Sequence, residues 1–188
     1  LYQAKAEGRN TYRFYTQALT ERAHHRLSME SKLRQALKLG EFILHYQPLV
    51  DTHSGKPLGV EALVRWNSPE GMISPADFIP LAEDTGLIVP IGTWVLREAC
   101  RQAQALRSRG LRLETIAVNL SPRQFRQSDL LKHVRDALHD SGLPAHCLEL
   151  EITEGALMDD VAQTQASLRA LKSLGLRLAV DDFGTGYS

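Results

Sequence analysis

The segment Cys147–Glu154, CLELEITE, decides the fold class, because its side chains alternate between apolar and polar from Leu148 to Thr153. Alternation with a period of two is typical of a β-strand that has one buried face. The leucines and the isoleucine then share one face, and Glu149, Glu151 and Thr153 share the other. We expect the apolar face to pack against helices and Glu151 to face the interior of the fold.

The sequence around this strand repeats a strand followed by a helix. Thr115–Ser121 (TIAVNLS) reads as a strand and Asp129–Gly142 (DLLKHVRDALHDSG) as a helix, while Val161–Gly175 is a second helix before the strand Leu176–Val180. Strand and helix alternating at about thirty residues per unit indicate a parallel α/β architecture. On this pattern alone, a doubly wound sheet and a (β/α) barrel remain equal alternatives.

The N-terminal half begins differently. The apolar runs Phe42–Val50 and Leu58–Trp66 flank a turn rich in glycine, proline and serine, which predicts a hairpin. Ser74 and Pro75 are typical of a helix start, and Ile91–Arg109 has the period of a second helix. A longer helix is predicted before the hairpin, with Leu27, Leu33 and Leu39 among its apolar residues.

The composition is that of a globular chain. It has 188 residues, 43% of them hydrophobic, and its 22 basic residues balance 22 acidic ones. A balanced charge gives no general attraction for nucleic acid or membranes, so a phosphate ligand would need a local site. Cys100 and Cys147 lack CxxC spacing and indicate reduced thiols rather than a disulfide or a zinc site. We expect a cytoplasmic protein; anchoring through upstream segments of a longer protein stays open.

Polar residues lie near the C-terminal ends of the predicted strands. Glu61 interrupts an apolar run, Asn119 and Glu151 end two later strands, and Asp181 and Asp182 follow the last one. In parallel α/β folds these strand ends meet on one face. Converging carboxylates repel each other and lose solvation, which raises their pKa values and calls for a cation.

The ligand atoms in this set are oxygens, which select hard ions. Mg²⁺ or Mn²⁺ is expected, with Ca²⁺ as a further alternative, rather than zinc. Adjacent Asp181 and Asp182 could bridge two ions about 4 Å apart. The structural alternative is that these acids cap helices, pair with lysines or form a turn. Their joint occurrence on four strands favours the metal site.

Five ordered motifs resemble one family. YQPLV, EALVRW, VNLSP, LELEITE and DDFGTGYS are similar to the successive motifs of the EAL domain, a family of cyclic-di-GMP phosphodiesterases, over about Leu33–Ser188. The resemblance implies a TIM-type (β/α)8 barrel with an initial antiparallel strand, truncated after about the fifth parallel-type strand. Residues 1–15 resemble the C-terminal tail of a GGDEF diguanylate cyclase domain. The implied division is this tail, a connector helix over 16–32, and the N-terminal two-thirds of an EAL domain over 33–188.

The resemblance also implies residue roles. The metal ligands would be Glu61, Asn119, Glu151, Asp181 and Asp182, with Asp182 on the second metal. Glu61, Asp181 and Asp182 are expected to be catalytic through these ions.

A second set of residues matches positions near the substrate in the family. Arg65 would contact a substrate phosphate, and Gln47 and Leu63 would line the substrate site. Glu154 would act in catalysis by holding the loop that follows the last strand. Arg123 and Arg126 form a small basic patch that could meet a phosphate or could simply begin a solvated helix.

The expected activity is metal-dependent hydrolysis of cyclic-di-GMP to linear pGpG, with Ca²⁺ inhibitory. The expected partners are cyclic-di-GMP, a second EAL domain in a homodimer and a covalently linked GGDEF domain, with no nucleic-acid polymer. Activity is expected of a full-length parent, because family motifs that follow DDFG, including a lysine, are not in this chain. Two alternatives remain: a non-catalytic cyclic-di-GMP receptor, and a structural scaffold without nucleotide affinity.

Overall fold

The computed structural model describes residues 17–158 and 161–181. The GGDEF-like segment 1–15 and Asp182 therefore lie outside the described residues. The helices and strands follow in the order α1 (Gln17–Leu39), β1 (Phe42–Val50), β2 (Pro57–Ser68), β3 (Gly71–Ile73), α2 (Pro75–Thr85), α3 (Ile88–Ser108), β4 (Thr115–Leu120), α4 (Pro122–Phe125), α5 (Leu130–Ser141), a 3-10 turn (Ala145–Cys147), β5 (Leu148–Thr153), α6 (Glu154–Met158), α7 (Val161–Ser173) and β6 (Arg177–Asp181).

One mixed sheet organises these elements. Its strand order is β1-β2-β4-β5-β6, with β3 paired to β2 beside this path. β1 is antiparallel to β2, and β2, β4, β5 and β6 run parallel to one another. Each new strand is added next to the previous one without the reversal of order that marks a doubly wound sheet. The expected α/β fold with barrel-type winding and an initial antiparallel strand is thus confirmed.

The helix boundaries follow local signals. Ser74 caps α2, since its hydroxyl accepts a hydrogen bond from the backbone N–H of Ala76 at 3.3 Å, and Gly86 ends the helix in a left-handed conformation with φ of 82°. α3 begins at Ile88, three residues earlier than predicted. Pro90 fits its first turn, where the missing N–H has no helical partner to lose.

The core lies between the sheet and its helices. Leu148, Leu150 and Ile152 of β5 are fully buried, while the residues between them are half-buried. Trp66 is also fully buried and stacks edge-on against Phe78 with 5.7 Å between ring centroids. The predicted alternation of β5 is confirmed.

The apolar stripe predicted for α1 is wrong in part. Leu33 and Ala36 are buried, but Leu27 and Leu39 are 66% and 69% exposed. Each of the two lies six residues from Leu33, which at 3.6 residues per turn places it on another side of the helix. The expected boundary between residues 32 and 33 falls inside this continuous helix.

Two further findings concern cysteine and membrane segments. Cys100 and Cys147 are free and buried. No single described helix is long and apolar enough to cross a membrane. The helices Pro75–Thr85 and Ile88–Ser108 meet the length and apolarity criteria only when they are taken together, and they are bent by 120° relative to each other.

Candidate active site

The strand register brings the predicted metal ligands of the described residues to one face of the sheet. Glu61 is paired with Ala117, two residues before Asn119, and Asn119 is paired with Glu151. Glu151 is in turn paired with Ala179, two residues before Asp181. Since residues two apart in a strand share a face, these four side chains lie on the same face of four neighbouring strands. We call Glu61, Asn119, Glu151 and Asp181 the rim.

Hydrogen bonding and charge connect these side chains. The Nδ2 of Asn119 donates to Oε1 of Glu61 at 2.7 Å. Burial, together with the negative charges of Glu61, Asp181 and Glu149, raises the pKa of Glu151 to about 7. The sequence-based expectation of a raised carboxyl pKa is confirmed for Glu151.

Within the described residues, no three His, Cys, Asp or Glu side chains form a ready-made metal cluster. The donor chemistry nevertheless fits a hard divalent cation, because Glu61, Glu151 and Asp181 supply carboxylate oxygens and Asn119 an amide oxygen. A cation would also offset the charge repulsion that raises the pKa of Glu151.

Arg65 lies four residues after Glu61 on the same strand face. Its Nη1 donates to the backbone oxygen of Val64 at 2.8 Å, and no salt bridge joins it to Glu61 in the part of the chain that the structure describes. A buried Glu61–Arg65 ion pair is therefore not the reason for these two charges in an apolar strand. Arg65 lines a pocket of about 370 Å³ together with Leu63, Asn119 and Thr153.

The structure places the other predicted residues as follows. Gln47 is exposed on β1 directly opposite Glu61, on the same face. Glu154 is half-buried at the start of α6, immediately after β5. Asp182 lies outside the described residues, so its position relative to Asp181 is not defined.

The basic patch has a structural role at Arg123. Its Nη1 donates to the backbone oxygens of Glu83 and Asp84 at the end of α2, the latter at 3.3 Å. The Asp84 side chain in turn pairs with Arg26 of α1. Arg123 and Asp84 thus join α4 to α2 and α2 to α1.

Sequence reasoning missed an interaction next to Asn119. Ser121 and Gln124 form a capping box at α4, and the Gln124 side chain packs where a side chain on Gly92 would otherwise lie. The pattern Ser-x-x-Gln after VN could have revealed the capping box. No local signal points to Gly92, since this contact joins distant parts of the chain.

Comparison with known proteins identifies the family. The model of the EAL domain matches residues 30–188. MucR of Pseudomonas aeruginosa, a bifunctional diguanylate cyclase/cyclic di-GMP phosphodiesterase, is 46% identical over 100% of this chain and 28% of its own length. NbdA of the same organism, a cyclic di-GMP phosphodiesterase, is 45% identical over 100% of this chain and 24% of its own length.

A solved structure agrees with this result. The PaMucR phosphodiesterase in complex with c-di-GMP superimposes with a TM-score of 0.82 and 47% identity, covering 86% of this chain and 66% of that chain. The chain spans about a quarter of the length of the curated relatives named above. Because the family model matches most of its residues, the chain belongs to the EAL domain family.

Proposed function

We propose that this chain is part of a metal-dependent phosphodiesterase that hydrolyses cyclic-di-GMP to linear pGpG. The observation that carries the proposal is the rim on which Glu61, Asn119, Glu151 and Asp181 share one face of four neighbouring strands. The relatives named as cyclic di-GMP phosphodiesterases support the same activity.

The rim residues would hold divalent cations. Glu61, Asn119, Glu151 and Asp181, joined by Asp182, are the proposed ligands, with Mg²⁺ or Mn²⁺ as the proposed ions. When bound, such cations supply positive charge that stabilises the transition state of phosphodiester hydrolysis and acidifies the attacking water. Ca²⁺ is proposed to bind the same oxygens and to inhibit turnover, because it is larger and prefers looser coordination.

The remaining residues would orient the substrate. Arg65 lines the pocket, and the planar fork of its guanidinium would suit a phosphate oxygen pair. Leu63 and Gln47 would line the nucleotide site, and Glu154 would fix the loop after β6. Hydrolysis adds one water molecule across one P–O bond of the cyclic dinucleotide, so the 3′-oxygen leaves as a hydroxyl and the product is linear.

The proposal extends to the longer protein. We propose a GGDEF tail at residues 1–15, a connector at 16–32 and the EAL domain from about residue 33. The bifunctional name of MucR supports a linked GGDEF domain. A homodimer through the EAL domain is proposed on the family resemblance alone. A cytoplasmic location is proposed because free, buried Cys100 and Cys147 suit a reducing compartment.

Product analysis tests the proposed activity. The full-length protein is incubated with cyclic-di-GMP and either Mg²⁺, Mn²⁺ or Ca²⁺, and the nucleotides are separated by chromatography. We expect pGpG with Mg²⁺ or Mn²⁺, and binding without turnover with Ca²⁺. Binding without pGpG under all three ions would instead identify a receptor, and the absence of binding would identify a scaffold.

A further inference from the structure

We propose that Gln124 is a positioning residue that holds the turn next to Asn119, and that the missing side chain of Gly92 leaves the space that Gln124 occupies. Gln124 lies on α4, the four-residue helix that directly follows β4, and it is only 7% exposed. The consequence for catalysis rests on the proposed function, whereas the positioning itself concerns the geometry of this chain.

Gln124 fixes the turn by reciprocal hydrogen bonds to Ser121. Its Oε1 accepts from the Ser121 backbone N–H at 3.2 Å and from the Ser121 hydroxyl at 3.0 Å. The backbone N–H of Gln124 donates to the Ser121 hydroxyl at 3.2 Å. This is a complete capping box, which satisfies backbone donors at the start of α4 and fixes the direction in which the chain leaves β4.

Gly92 of α3 makes room for the Gln124 amide. A methyl group on Gly92 would overlap Nε2, Cδ and Oε1 of Gln124. Gly92 is buried inside a helix, where glycine is less favourable than alanine. The absence of a side chain at this position is thus explained by the close approach of Gln124 rather than by the needs of α3.

The fixed turn is adjacent to Asn119. Ser121 is two residues beyond Asn119, and Asn119, Gly92 and Gln124 line the same cavity of about 10 Å³. Asn119 is itself exposed and donates to Glu61 across the rim. Its side-chain position therefore depends on the backbone that Gln124 and Ser121 hold in place.

Arg123 holds the other side of the same turn. Its guanidinium lies against Gly86 and donates to the backbone oxygens of Glu83 and Asp84. α4 is thus held between the end of α2 and the body of α3. Of these two residues, only Gln124 also forms side-chain hydrogen bonds with Ser121, the residue that follows β4.

The test uses variants that separate packing from positioning. Gln124→Met keeps the length of the side chain beside Gly92 but removes the oxygen that accepts from Ser121. Gln124→Glu keeps that oxygen. Gln102→Leu is the control, because it removes a hydrogen bond to Glu98, 2.9 Å long, on the same helix as Gly92.

Two readouts are measured on the full-length protein. The first is the side-chain amide resonance of Asn119 in ¹⁵N-labelled protein, assigned by its loss in Asn119→Asp. The second is Mn²⁺ binding by titration calorimetry. We expect Gln124→Met to shift the Asn119 resonance and to weaken Mn²⁺ binding by about tenfold, the range found when partners of metal ligands are removed. Gln124→Glu should stay closer to wild type than Gln124→Met in both readouts.

Gly92→Ala supplies an independent arm. Helix propensity alone predicts stabilisation, whereas overlap with Gln124 predicts a lower melting temperature. In the Gln124→Ala background, where the overlap is absent, Gly92→Ala should not lower the melting temperature further, while the Asn119 resonance stays shifted because the capping box is absent.

The outcomes are separable from those of the proposed function. If Gln124→Met leaves the Asn119 resonance and Mn²⁺ affinity at their wild-type values, or if Gly92→Ala stabilises the protein, the inference is overturned. A wild-type protein that does not hydrolyse cyclic-di-GMP overturns the proposed activity, and the Asn119 resonance still decides the role of Gln124.

Discussion

The two faces of β5 show how one strand serves stability and chemistry at once. On the outer face, Leu148, Leu150 and Ile152 are buried to within 1% exposure against the helices. On the inner face, Glu149 and Glu151 are half-buried, and burial with neighbouring charges raises the pKa of Glu151 to about 7. The outer face stabilises the fold, whereas the inner face holds charges that destabilise it unless a cation is present. Substitutions on the inner face should therefore act mainly on activity, and substitutions on the outer face mainly on stability.

The largest effect is expected on the inner face. Glu61→Gln removes a proposed ligand and should lower cyclic-di-GMP hydrolysis by at least about a thousandfold, since cations contribute several kcal/mol of transition-state stabilisation. Product formation is measured by chromatography, with Glu70→Gln as the control because Glu70 pairs with Lys32 on the surface. Full activity in Glu61→Gln would show that the rim is not the site.

The matching change on the outer face is Leu150→Ala. It should lower the free energy of unfolding by about 2–5 kcal/mol, the usual cost of a cavity at a buried leucine. Urea denaturation measures this, and Leu39→Ala, at an exposed position of α1, should cost less than about 0.5 kcal/mol. Equal costs at the two positions would mean that β5 does not have a packed outer face.

A smaller effect is expected at Arg65. Arg65→Ala should raise KM by about 10–100-fold with a lesser effect on kcat, because a charged hydrogen bond to phosphate is worth about 1.5–3 kcal/mol. Steady-state kinetics on cyclic-di-GMP separates the two constants. A fall in kcat at constant KM would assign Arg65 to the transition state rather than to substrate binding.

The smallest effect concerns pH. The pKa of Glu151 is raised in the folded protein to about 7 from an ordinary 4.5. The stability that protonated Glu151 contributes to the metal-free protein is therefore fully present below pH 4.5 and is lost as the pH rises from about 4.5 to about 7. Urea denaturation in EDTA from pH 5 to pH 8 should show this loss in the wild type and a smaller loss in Glu151→Gln. Identical pH dependence in the two proteins would contradict the electrostatic account of the inner face.

The sequence predicts the regular parts of this molecule because their signals are local. The alternation of CLELEITE and the Ser74–Pro75 helix start are properties of short segments, and the structure confirms both. The gathering of Glu61, Asn119, Glu151 and Asp181 on one face also follows from strand ends and register. The motifs that resemble the EAL family point to the same residues.

Features that depend on distant contacts were not predictable in this way. The Gly92–Gln124 contact joins α3 to α4, and nothing near Gly92 in the sequence announces it. The exposure of Leu27 and Leu39 depends on which side of α1 meets the domain. The hydrogen bond from Arg65 to Val64 depends on a side-chain rotamer that no sequence pattern fixes.

The most direct test of the central claim is anomalous diffraction from crystals of the full-length protein grown with Mn²⁺. We predict a manganese peak at the rim with oxygens of Glu61, Asn119, Glu151 and Asp181 within about 2.0–2.5 Å of an ion. A structure with manganese bound elsewhere and these four side chains pointing apart would contradict the account.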